Sequence, residues 1–224
     1  MQKIEFLTQE NRGMNYWLFL PNEYKEKMPL IVYLHGAGKR GKKIEHLSRH
    51  GLAKLLAEGM EIDSAVLVPQ CPADCVWDNL PHQLKALIDE VVDKYKIDVH
   101  RITVTGSSMG GFGTWMLGMT YPNFFAGLAP VAGGGMEWRA QNLSTTPVRA
   151  YHGKEDKTVE CIRSEMMVRA VNNNGGTAEA VCFENLGHND GIDFVYRHTD
   201  LLKWLLVQER QKKDEIREVC YNLF

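Results

Sequence analysis

Three features of the sequence predict an α/β fold with a mostly parallel central sheet and helices on both faces. Short β-rich runs alternate with segments of helical periodicity. The central runs are apolar throughout, as strands covered on both faces require. Residues suited to chemistry fall just after predicted strands, where open α/β sheets bind ligands.

The elements follow in order. Lys3 to Leu7 and Asn15 to Leu20 read as two strands around the turn signal Asn11-Arg12-Gly13. Leu30 to Leu34 and Ala65 to Pro69 are continuous apolar strands. From Leu80 to Tyr95, the residues Leu84, Leu87, Ile88, Val91 and Val92 recur at helical spacing. Arg101 to Thr105 is a short β-branched strand, and Gly110 to Tyr121 a helix stopped before Pro122. Phe125 to Val131, Val148 to His152 and Ala178 to Glu184 read as strands, with Val159 to Asn172 and Phe194 to Arg210 as helices. No repeat, low-complexity tract or linker divides the 224 residues, so residues 1–224 are expected to form one domain.

Composition excludes several classes. The formal net charge of -2 gives no basic excess for a nucleic-acid partner. No apolar run approaches the roughly 20 residues of a membrane span. Met1 to Phe6 has no apolar signal core, which predicts a cytoplasmic protein, or a secreted one if a leader has been trimmed. Five cysteines, an odd number without zinc-like spacing, fit reduced thiols, with a local Cys71–Cys75 bridge as the alternative in an oxidising compartment.

The chemistry is concentrated at four strand ends. Gly106, Ser108 and Gly110 form G-x-S-x-G between a strand and a helix. That setting presents a serine on a sharp turn, and small flanking residues let strand and helix approach. Ser107 is the wrong serine for the motif and reads as a packing or turn residue. The glycine order fits neither a dinucleotide fingerprint nor a phosphate-binding P-loop. The run Tyr33-Leu34-His35-Gly36-Ala37-Gly38 ends the first central strand, where an oxyanion-hole amide is expected. Ala37 is the candidate donor, with Gly36 and Gly38 as register alternatives, and Met109 is the second. His35 reads as a histidine bracing this loop. Asp156 follows the strand ending at His152, and His188 follows the last strand. The order Ser108, Asp156, His188 suits nucleophile, orienting acid and base. Glu155 is the rival acid; Asp190 and Asp193 read as helix-start residues, and His152 as structural.

With His35-Gly36, Gly106 to Gly111, His152-Gly153-Lys154-Glu155-Asp156 and Gly187-His188 in order, the chain resembles the α/β-hydrolase superfamily over nearly its whole length. More narrowly, it is similar to small esterases and predicted peptidases related to feruloyl esterases, polyhydroxybutyrate-depolymerase-like enzymes and phospholipase/carboxylesterases. Pro69-Gln70-Cys71-Pro72, Trp77-Asp78, Gly110 to Trp115 and Tyr121-Pro122 carry that likeness. The resemblance implies carboxylic ester hydrolysis through an acyl-serine, with no metal and no organic cofactor. Small or medium, aromatic-acyl or carbohydrate esters are the implied substrates. Thioester or lysophospholipid cleavage and a prolyl-oligopeptidase-related peptidase are the alternatives.

Only Ala132 to Pro147 is available for a cap, too short for a helical lid, so an open cleft is expected. Trp77, Trp138 and Met109 are its candidate apolar walls, and Asp74 and Asp78 are candidates to line its mouth. The segment Lys212 to Phe224, charged first and apolar last, is a candidate to dock on the body or to meet a second subunit in a homodimer.

Overall fold

A computed structural model describes residues 1–7, 13–41 and 43–210. Eight strands make one sheet: β1 (Gln2–Phe6), β2 (Tyr16–Leu20), β3 (Leu30–Leu34), β4 (Ala65–Pro69), β5 (Ile102–Ser107), β6 (Gly127–Val131), β7 (Val148–Gly153) and β8 (Ala178–Phe183). Their spatial order is β1-β2-β4-β3-β5-β6-β7-β8. The β1–β2 and β2–β4 pairs are antiparallel, and every pair from β4 across to β8 is parallel. Parallel neighbours need crossovers. These include the helices α1 (Gly51–Ala57), α2 (Pro81–Lys94), α3 (Met109–Thr120) and α4 (Ile162–Asn173), while α5 (Asn189–His198) and α6 (Leu201–Leu206) follow β8. The predicted α/β architecture with a mostly parallel sheet is therefore present. The Asn11-Arg12 turn and the segment from Lys212 to Phe224 lie outside the described residues.

The apolar strands bury both faces. Side chains alternate along a strand, so Leu30, Val32 and Leu34 of β3 join one core with Leu84, Ile88 and Val91 of α2 and Trp115 of α3. Ile31 and Tyr33 join the other, with Leu52 and Leu56 of α1, Ile192, Val195 and Tyr196 of α5, and Leu201 and Leu205 of α6. Each such fully buried aliphatic side chain contributes about 1.5–3 kcal/mol relative to exposure.

Two details depart from the sequence reading. The sequence reading lacks α1, a seven-residue helix entered through Gly51 at φ 68°, whose Leu52, Leu55 and Leu56 recur at helical spacing over a run too short to stand out. The helix read as Phe194 to Arg210 is instead two. Thr199 is extended (φ -109°, ψ 174°) between α5 and α6. Its Oγ1 donates to Val195 O at 2.7 Å and accepts from Leu201 N at 3.2 Å, so one hydroxyl serves the end of α5 and the start of α6. The stretch from Ala132 to Pro147 holds a 3-10 helix (Glu137–Leu143), and no cap domain is present among the described residues.

Candidate active site

Ser108 stands between β5 and α3 with φ 57° and ψ -118°. A non-glycine residue there carries about 1–3 kcal/mol of strain, so its surroundings must hold it. Ser108 N donates to Val131 O at 2.9 Å, and Ser108 O accepts from Gly111 N at 2.8 Å and Phe112 N at 3.1 Å. Gly106 and Gly110 make the turn possible by close approach. A methyl on Gly110 would collide with the Leu34 carbonyl, and one on Gly106 with the carbonyl of Gly110. Ser107 points into the protein, its hydroxyl 3.2 Å from Tyr33 OH, and so packs as the sequence suggested.

Asp156 and His188 arrive on two loops laced together by their backbones. Lys154 N donates to Phe183 O at 2.9 Å and Glu155 N to Leu186 O at 3.0 Å. Gly153 admits the second loop, because a methyl there would strike the Leu186 carbonyl. Asp156 is buried, while the rival Glu155 is exposed. Asp156 Oδ1 accepts from Thr158 N at 2.8 Å and Val159 N at 2.9 Å. Its Oδ2 lies 2.6 Å from His188 Nδ1, and His188 Nε2 lies 2.9 Å from Ser108 Oγ. The carboxylate can only accept, so Nδ1 carries the proton and Nε2 accepts from the serine hydroxyl. The chain thus brings together three groups separated by 48 and 32 residues in the sequence. Asp190 accepts from Gly187 N at 3.0 Å, which shapes the turn before His188. That backbone amide holds its carboxyl below the ordinary range.

Two further histidines act as braces. His35 Nδ1 donates to Gly36 O at 2.7 Å and its Nε2 accepts from Cys71 N at 3.0 Å. Complete burial pushes its pKa down to about 3. His152 is buried at the end of β7, its Nε2 2.8 Å from Val159 O and its Nδ1 2.8 Å from Ser164 Oγ. Its Nε2 is also 3.4 Å from Asp156 Oδ2, which ties the acid to the strand beneath it. Burial lowers its pKa as well.

The His35 environment has a consequence for stability. The folded state holds His35 neutral down to about pH 3, whereas the unfolded chain protonates near 6.5. The contribution is therefore complete above pH 6.5 and lost as pH falls towards 3. At pH 4.5 the cost is about 2–3 kcal/mol. Urea titrations at pH 7.5 and 4.5 should show wild type losing about that much more stability than His35→Gln. The amide keeps a donor and an acceptor but does not titrate.

The oxyanion-loop candidates flank Ser108. A methyl on Gly36 would sit 3.5 Å from Ser108 Cβ, so the Gly36–Ala37 peptide runs beside the serine. Met109 opens α3, and its amide is among the helix-start N–H groups without an intrahelical acceptor.

The tryptophan expectations need correction. Trp77 has 0% of its surface exposed; its Nε1 donates to His35 O at 2.9 Å and its ring meets the His35 ring edge-on. It therefore offers a ligand no face and instead braces the His35 end of the loop after β3. Trp138 is 76% exposed on the 3-10 helix and does not line the nearby cavity. That cavity, about 190 Å³, lies along α3 and is lined by Asp78, Phe112, Met116, Met119, Met136 and Arg139, with Gly134 and Gly135. Phe112 is one helical turn beyond Ser108. Sequence reading offered Asp78 but missed the methionine walls, because Met116 and Met119 look like ordinary core positions of α3.

A family model described as phospholipase/carboxylesterase matches residues 75–203. Feruloyl esterase B of Neurospora crassa is 24% identical over 160 residues, covering 66% of this chain and 53% of its own length. Poly(3-hydroxyalkanoate) depolymerase C of Paucimonas lemoignei is 45% identical over 51 residues, 23% of this chain and 12% of its own. The chain thus spans about half or less of these curated relatives. A solved thermostable esterase superposes with a TM-score of 0.77 at 27% identity, covering 93% of this chain and 63% of that one. No helix of the described residues is long and apolar enough to cross a membrane. With an eight-stranded α/β-hydrolase sheet and a matching model over more than half its length, the chain belongs to the phospholipase/carboxylesterase family.

Proposed function

We propose that the protein is a serine esterase that cleaves carboxylic esters through an acyl intermediate on Ser108. The observation that carries this reading is the single imidazole of His188 spanning Ser108 Oγ at 2.9 Å and Asp156 Oδ2 at 2.6 Å. As Ser108 Oγ attacks the ester carbonyl, His188 Nε2 takes its proton, and the buried carboxylate stabilises the resulting imidazolium. The amides of Ala37 and Met109 receive the oxyanion, and the positive end of α3 adds to the field there. Loss of such a donor typically costs about 2.7–4 kcal/mol. The tetrahedral adduct collapses, the alcohol leaves with the proton from Nε2, and water repeats the sequence to free the acid and Ser108. No step calls for a metal or organic cofactor.

The cavity beside α3 supports the substrate class, because its Phe112, Met116 and Met136 walls suit an apolar or aromatic acyl group. A relative named as a feruloyl esterase supports aromatic-acyl esters, and one named as a bifunctional acetylxylan esterase/xylanase supports small carbohydrate esters. The family description favours a second reading, a lysophospholipase or thioesterase for long acyl chains.

An aryl phosphonate tests the mechanism. It should inactivate the protein at one equivalent, with the adduct mapped to Ser108; full activity after treatment, or an adduct elsewhere, would remove the proposal. A p-nitrophenyl series from acetate to long chains, with methyl ferulate, chooses between the substrate readings. Met136→Trp fills the cavity mouth and should lower kcat/KM for the aromatic ester about tenfold, leaving acetate within twofold. Equal effects on both would place the acyl group elsewhere.

A further inference from the structure

Cys161 and Cys182 lie outside the reacting groups yet stand against the loop that carries the acid. Their sulfurs are 3.1 Å apart, and both side chains are partly accessible. Cys182 on β8 stands abreast of His152 on β7, the histidine that touches Asp156. Cys161 caps α4, two residues beyond Val159, whose amide holds Asp156 Oδ1. Glu165 completes a group of three ligand-type side chains whose atoms lie within 4.8 Å of one another. Two thiolates around a tetrahedral zinc, with Zn–S near 2.3 Å, would stand about 3.8 Å apart. The pair is already closer than that, so the spacing favours a covalent bond over a metal.

We propose that Cys161 and Cys182 form a reversible disulfide that staples the acid loop to β8, the strand leading to His188. This inference is independent of the ester-hydrolysis reading. The oxidant is a small-molecule disulfide. One protein thiol loses its proton and attacks that disulfide, forming a mixed disulfide and releasing one small thiol, which takes up the proton. The second protein thiol then attacks the protein sulfur of the mixed disulfide. The Cys161–Cys182 bond forms as the second small thiol leaves with the second proton. The two protein sulfurs are oxidised, and the small disulfide is reduced to two thiols. Burial pushes the Cys161 thiol up to about 12 and raises that of Cys182. Exchange requires thiolate, so it quickens as pH rises.

The test treats wild type, Cys161→Ser and Cys182→Ser with oxidised glutathione at mildly alkaline pH. Thiols are counted under denaturing conditions, digests are mapped for linked peptides, and melting is followed. Wild type should lose two thiols, yield a peptide linking Cys161 to Cys182, and melt at least about 5 °C higher, reversibly on reduction. Neither variant should do so. Failure of wild type to form the linked peptide would overturn the proposal. So would loss of two thiols in the variants as readily as in wild type, which would place the bridge elsewhere, or, in wild type, a glutathione adduct that persists on either cysteine.

Discussion

Ser108→Ala is expected to lower kcat for p-nitrophenyl acetate by about a thousandfold or more, with KM changed little. The reason is local. Ser108 Oγ is the oxygen that His188 Nε2 meets, at 2.9 Å, among the described residues, and Ser107 cannot substitute because its hydroxyl is buried against Tyr33. Alanine keeps the Cβ, and so keeps the backbone strain at φ 57°. Its stability should stay close to wild type. Ser108→Gly separates chemistry from strain. It should be equally inactive yet more stable by about 1 kcal/mol, because glycine occupies positive φ freely. At this chain length that is a melting increase of about 2–4 °C. Equal activity in wild type and Ser108→Ala would show that the serine is not the nucleophile. Equal melting of the alanine and glycine variants would show that the turn is not strained.

Asp156→Asn should reduce kcat by about 10⁴-fold while the protein folds normally. Asp156 Oδ1 already accepts the Thr158 and Val159 amides, so the asparagine carbonyl oxygen must take that place. Its NH2 is thereby turned towards His188 Nδ1, which has to become an acceptor. The ring then carries its proton on Nε2, facing Ser108, and cannot receive another. KM should move much less than kcat, because the cavity along α3 is untouched. A loss of under tenfold would mean that the carboxylate does not set the tautomer. Glu155→Gln, at the exposed neighbouring position, should leave kcat within twofold.

How much of this was legible in the sequence depends on the range over which each feature is specified. The turn at Ser108 was legible because its requirements are local: glycines two residues either side, a β-branched strand before and a helix after. Asp156 and His188 were legible as candidates because each lies in a short loop just past a strand, but nothing local distinguished Asp156 from Glu155. The structure separates them by burial and by two backbone amides. The break at Thr199 was hidden because the residues on either side share one helical pattern, and its capping bonds need an extended backbone there.

The sequence by itself determined the alternation of strands and helices, the strained serine turn, and the chain order of the three polar groups, since propensity, periodicity and turn chemistry act over a few residues. Only the tertiary structure decided which side chains meet across the sheet. Trp77 looked like a cleft wall until the end of β3 supplied the His35 carbonyl for its indole. Cys161 and Cys182 looked like unrelated thiols until β8 aligned beside β7. Such contacts depend on strand register and close packing between distant segments, and both are fixed only when the whole core assembles.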